Sequence, residues 1–163
     1  MILIALGSNL SGPWGSPKNA VQTALKVFAR EGIGIKKSST LIETAPLGKT
    51  NQPNFVNAVV WIETHKSPDA LMRCLHSIER EAGRKRLTRW GPRTLDLDLL
   101  DYHGLVRKPS GSSIKPLALP HPGIAQRSFV LEPIREIAPQ WKHPVSRQSA
   151  ALTLRKLYGL NRI

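Results

Sequence analysis

The chain has 163 residues, 40% of them apolar, and 24 Lys and Arg against 11 Asp and Glu give it a formal net charge of +13. That length suits one domain, residues 1–163, with an ordinary core, and the lone cysteine, Cys74, excludes an intrachain disulfide and fits a reducing, cytoplasmic setting. No Cys/His cluster has structural-zinc spacing, no run approaches the roughly 18 apolar residues of a membrane span, and the excess of cations favours polyanionic partners, nucleotides or nucleic acid, without choosing between them.

Residues 2–6 are apolar, lack a basic leader and run at once into Gly7-Ser8-Asn9, so they read as a first strand. Ser16-Pro17 supplies an N-cap and a first-turn proline, and Ala20, Val21, Ala24, Leu25 and Phe28 give the following helix its buried stripe up to Gly32. Strand-like stretches span about 33–44, Pro46 and Gly48 interrupt, and 55–63 reads as a further strand paired with the preceding one. Ser67-Pro68-Asp69 opens a second helix, with Leu71, Leu75, Ile78 and Ala82 at helical spacing and Cys74 bordering that face. Residues 95–102 alternate as a strand closed by a turn at His103-Gly104; 109–122 reads as loop, and 149–158 as a last short helix. The order βαββαβ predicts an α+β, ferredoxin-like sandwich: an antiparallel sheet with two helices on one face, the C-terminal third forming an extension.

In Leu95-Asp96-Leu97-Asp98-Leu99 the two-residue period of a strand sends the leucines to one face and both carboxylates to the other, roughly 7 Å apart at Cα. Two such carboxylates can hold magnesium, which completes its shell with water and phosphate oxygens. Taken alone, an Asp-x-Asp pair is more often a solvated strand face. Here Arg84, Lys85, Arg86, Arg89 and Arg93 crowd the ten residues before the strand. Like charges this dense repel, and a polyanion relieves them. A metal site beside an arginine cluster is what phosphoryl-type transfer needs, since catalysis there is largely positioning and charge neutralisation. Gly48-Lys49-Thr50 imitates the end of a phosphate-binding P-loop, but Glu43 stands where its first glycine belongs and the segment joins two strands, so that reading fails. His121, between Pro120 and Pro122, either donates to a phosphate or is a plain surface histidine.

Six segments resemble the 6-hydroxymethyl-7,8-dihydropterin pyrophosphokinase family: Ala5-Leu-Gly-Ser-Asn-Leu10, Thr44-Ala-Pro-Leu-Gly48, Gln52-Pro-Asn-Phe-Val-Asn57, Gly83-Arg84, Arg89-Trp-Gly-Pro-Arg-Thr-Leu-Asp-Leu-Asp98, and Leu119-Pro-His-Pro122 through Arg127-Ser-Phe129. The resemblance implies a ferredoxin-like fold and ATP-dependent diphosphate transfer to a pterin alcohol in folate biosynthesis, with AMP as the other product. It implies that Asp96 and Asp98 bind two magnesium ions, and that Arg84 and Arg93 act with them in catalysis. Arg84, Arg86, Trp90, Arg93, His121 and Arg127 would contact ATP, with Glu79 on the nucleotide side and Leu99 against the adenine. Thr44, Ala45, Leu47, Gly48, Phe55, Asn57, Trp90 and Phe129 would form the pterin site. A flat heterocycle fits between Phe55 and Phe129, and Asn57 both donates and accepts at a pyrimidine-like edge. Arg86, Arg89 and Trp90 would close over the substrates and exclude water. No general base stands at the motif positions beyond the metal-binding carboxylates, and no nucleic acid, membrane or obligate protein partner is implied.

Among departures from the family pattern, the Arg86–Trp90 loop is one residue shorter than in some members. Ala118 stands where a hydroxyl is common, Gly123 where a basic residue is common, and Ala45 where some members carry proline. Two rivals remain at this stage. A nucleotidyltransferase would share Gly7-Ser8 and an Asp-x-Asp, though its carboxylates follow the turn closely. An RNA-binding module would suit the charge and the element order, but its Gly-Phe-x-Phe aromatic pattern is missing.

Overall fold

The first apolar run becomes the central strand of a five-stranded sheet, flanked on both sides by antiparallel partners. The structure, a computed structural model, describes residues 1–46, 51–85, 92–111 and 116–159. The strands are β1 (Ile2–Ser8), β2 (Gly34–Ser38), β3 (Ile42–Thr44), β4 (Phe55–Glu63) and β5 (Asp96–Tyr102). They run in the order β2-β4-β1-β5, and β3 continues along the edge of β4 beyond β2. The helices are α1 (Pro17–Arg30), α2 (Pro68–Glu81), α3 (Ser128–Ile137) and α4 (Ala150–Leu157), with a 3-10 turn at Ile124–Gln126 before α3.

Both Ser-Pro starts act as expected: Ser16 Oγ accepts from Asn19 N and Ser67 Oγ from Ala70 N, each at 3.2 Å. Both helices also end alike. Gly32 and Gly83 take positive φ (73° and 81°), a conformation a side chain would resist, and the next residue's amide reaches back to Phe28 O (2.9 Å) or Glu79 O (3.1 Å). α1 and α2 cover one sheet face, packing Phe28, Leu75 and Ile78 against Ile4, Val60, Leu97 and Leu99. Cys74 packs at the margin of this core, where burial pushes its thiol up, with Glu31 adding to the effect.

The C-terminal third is not an appendage. It folds over the opposite face, where Val130, Leu131, Ile134, Trp141 and Leu154 pack on Leu3, Val59 and Leu100. Burial on both faces explains the unbroken apolar run of β1. Helix α3 has no counterpart among the expected elements, and it carries Pro133, a helix-breaking signal, inside it; α4 falls within the expected 149–158. The alternation expected over 95–102 holds only to Leu99. A register shift pairs Ile4 with Leu99 but Leu3 with Asp101, a β-bulge that leaves Leu100 and Asp101 both on the α3/α4 side.

Buried Asp101 accepts from Trp141 Nε1 (2.7 Å) and Gly104 N (2.8 Å), tying the C-terminal layer to β5. Asp101→Ala strands the indole N–H and is expected to cost about 2 kcal/mol in urea unfolding. Asp101→Asn, which can still accept, should cost less; equal stability of wild type and Asp101→Ala would refute the tie. Among the described residues no helix is long and apolar enough to cross a membrane.

Candidate active site

Helices α3 and α4 cover only part of their face of the sheet, and the remainder is open. Across that floor the register aligns Asn57, Gly7 and Asp96 in one row and Val59, Ala5 and Asp98 in the next. Small residues at Ala5 and Gly7 keep the floor flat: a Cβ at Gly7 would lie 2.9 Å from Asn57 Oδ1. Thr44 faces Phe55 across β3 and β4, and Asn57 Nδ2 donates to Thr44 Oγ1 at 2.6 Å. The result is an open cleft of about 700 Å³, lined by Thr44, Ala45, Phe55, Asn57, Phe129, Arg93, Arg127 and the two aspartates.

On the other side of the same carboxylates lies a second, wider cleft of about 860 Å³. Glu79, Arg84, Leu99 and His121 line it, together with Met72, His76 and the segment 116–118. Asp96 and Asp98 border both clefts.

The cations reach the aspartates through identifiable local structure. Arg84 is the residue after the glycine that ends α2, so its chain is turned back onto the helix it leaves. Its guanidinium, only 6% exposed, donates to Glu79 and, at 2.5 Å, to Asp96 Oδ1. Glu79 is itself buried and also accepts from Leu97 N at 3.3 Å. Arg93 donates to the other oxygen of Asp96. Asp98 has Arg127 Nη1 at 3.6 Å and His121 Nε2 at 3.9 Å.

The turn after β1 joins the two sides. Asn9, 2% exposed, donates to Gln52 Oε1 (2.8 Å) and Pro53 O (2.9 Å) and accepts from Arg93 N (2.8 Å); Ser8 Oγ donates to Thr94 O (2.7 Å). One buried amide thus holds the end of the basic segment against the approach to β4.

The structure therefore brings Glu79, Arg84, Arg93, Asp96, Asp98, Leu99, His121 and Arg127 to one locus, with Thr44, Ala45, Phe55, Asn57 and Phe129 beside it. Leu47, Gly48, Arg86 and Trp90 lie outside the described residues. Ala5, Gly7 and Asn9 belong to the first family-like segment but were given no site role from the sequence, and His76 was not singled out. The small residues at alternate positions of β1 were the available signal for the first two, membership of that segment was the signal for Asn9, and nothing local marked His76.

Among the described residues no group of three or more acidic, His or Cys side chains could hold a metal. Two carboxylates with open space on both sides nevertheless fit a hard cation that takes phosphate oxygens and water for the rest of its shell. The RNA-binding rival loses ground, because much of the sheet face such modules present is packed beneath α3 and α4.

Comparison with known proteins identifies the family. The model of the family described as 7,8-dihydro-6-hydroxymethylpterin-pyrophosphokinase matches residues 3–139. The 2-amino-4-hydroxy-6-hydroxymethyldihydropteridine pyrophosphokinase of Pseudomonas aeruginosa is 39% identical over 148 residues, 90% of this chain and 85% of that protein. Its namesake from Haemophilus influenzae is 41% identical over 136 residues, 83% of this chain and 79% of that protein. A mitochondrial folate synthesis bifunctional protein of Arabidopsis thaliana is 42% identical over 136 residues, 83% of this chain; those residues make up only 23% of its own length. With the family model matched over residues 3–139 and two relatives of about 40% identity covered over 79–85% of their own length, the chain belongs to the 7,8-dihydro-6-hydroxymethylpterin-pyrophosphokinase family.

Proposed function

We propose that residues 1–163 act as one unit that transfers a diphosphate group from ATP to 6-hydroxymethyl-7,8-dihydropterin in the cytoplasm, yielding the pterin diphosphate and AMP for folate biosynthesis. The observation that carries this reading is the meeting of two unlike clefts at one pair of carboxylates. The cleft bounded by Phe55 and Phe129 suits a flat heterocycle, with Asn57 and Thr44 at its polar edge. The cleft bounded by Arg84, Leu99 and His121 suits a nucleotide: Leu99 lies against the base, and the cations meet the phosphates.

In this reading Asp96 and Asp98 would hold magnesium, two ions as the resemblance implies, which would supply charge neutralisation on the phosphates. The hydroxymethyl oxygen forms a bond to the β-phosphorus while the bond from that phosphorus to the α,β-bridging oxygen breaks. AMP departs and the hydroxyl proton passes to solvent. Arg84, Arg93 and Arg127 stabilise the charge on the transferring group and the leaving oxygens. Before substrate arrives, Asp96 is the partner of both Arg84 and Arg93. Phosphate offers these guanidiniums a second anion, so the ion pairs keep a buried cation satisfied until the polyanion enters. Leu47, Gly48, Arg86 and Trp90 complete the assignment on the strength of the family resemblance alone.

Product analysis tests the proposal. Incubation with ATP, magnesium and the pterin alcohol is expected to give AMP and pterin diphosphate in equal amounts. Release of pyrophosphate with a nucleotidylated product would overturn it in favour of a nucleotidyltransferase.

A further inference from the structure

Gly123 has no place among the phosphate and pterin contacts, yet it touches two of the side chains that face Asp98. Its amide donates to His121 Nδ1 at 3.0 Å. With that nitrogen accepting, a neutral His121 ring carries its proton on Nε2, the atom 3.9 Å from Asp98. The missing Cβ matters equally. A methyl group at position 123 would stand 2.8 Å from both Cζ and Nε of Arg127, so the guanidinium lies against the bare backbone. From that seat Arg127 reaches Asp98 at 3.6 Å.

We propose that Gly123 is a positioning residue: its amide orients His121, and its lack of a side chain provides the seat from which Arg127 faces Asp98. The inference rests on the pyrophosphokinase reading for its functional consequence but not for its geometry. The atoms a Cβ would strike are the far end of a flexible side chain, so the clash is relieved cheaply, by moving the guanidinium and not the fold.

Gly123→Ala is therefore expected to melt within about 2 °C of the wild type. It should bind a nonhydrolysable ATP analogue with magnesium roughly tenfold more weakly by calorimetry, the worth of one charge-assisted contact. In an Arg127→Ala background the same substitution should change nucleotide affinity by less than about twofold, since the group it displaces is already gone. A crystal structure of unliganded Gly123→Ala should show the guanidinium moved off residue 123. Undiminished nucleotide affinity, or an equal loss in the Arg127→Ala background, would overturn the proposal. So would a guanidinium that stays in place. That last result stands even if the wild type proves inactive toward the pterin, an outcome that would sink the functional reading alone.

Discussion

Asp96→Ala and Asp98→Ala are each expected to lower kcat/KM for AMP formation by about a thousandfold or more, with circular dichroism unchanged. The carboxylates line an open junction, not the core, so the strand that carries them is held by Leu95, Leu97 and Leu99 on its other face. Removing Asp96 also leaves Arg84 with its second anion, Glu79, so no buried cation is stranded. What disappears is the anionic platform between nucleotide and pterin. Asp96→Asn separates two contributions, since it preserves an acceptor for the arginines while removing the charge a hard cation requires. It should be nearly as inactive as Asp96→Ala if metal binding dominates, and largely active if the carboxylate serves only to orient Arg84 and Arg93. Magnesium titration of turnover gives a second reading: the conservative variants should need higher magnesium to reach half-maximal rate. Pterin-dependent ATP consumption at the wild-type rate in both alanine variants would refute the metal assignment.

Glu79→Ala is expected to produce the largest stability loss, about 3 kcal/mol, which for a chain of this size lowers the melting temperature by roughly 6–12 °C. Glu79 and Arg84 have side chains 3% and 6% exposed, and Glu79 also accepts the amide of Leu97 at the start of β5. Its removal leaves a buried guanidinium with only Asp96 and an unpaired strand amide beneath the site. Glu79→Gln keeps an acceptor for Leu97 N but not the charge, so it should fall between wild type and alanine in urea unfolding. The functional consequence is secondary: with Glu79 gone, Arg84 is held by Asp96 alone, and nucleotide affinity should fall together with stability. An alanine variant as stable as the wild type would show that Arg84 finds another anion.

The aspartate pair and Glu79 mark different degrees of legibility. The facing of Asp96 and Asp98 away from three leucines follows from strand periodicity alone, because alternation is a local property of the backbone. Both Ser-Pro helix starts, and the glycines that end α1 and α2, are local signals of the same kind. Glu79, by contrast, sits on α2 among residues spaced for burial, and its ionic role depends on Arg84 being turned back by Gly83 and on β5 lying alongside.

The extension after β5 shows where local reasoning stops. Val130, Leu131, Ile134 and Ile137 have helical spacing, but Pro133 argues against a helix, and only the apolar second face of the sheet, Leu3, Val59 and Leu100, supplies the burial that outweighs it. The β-bulge at Leu100 is likewise a property of the pairing with β1, not of β5. So element order, helix caps, the carboxylate pair and the arginine-rich approach are written in short stretches of the chain, whose physics is that of neighbours. The second helical layer, the open floor at Ala5 and Gly7, the Asn9 bridge and the seat at Gly123 depend on residues far apart in sequence. They come into being only when the sheet closes, since hydrogen-bond partners and excluded volume belong to the packed molecule.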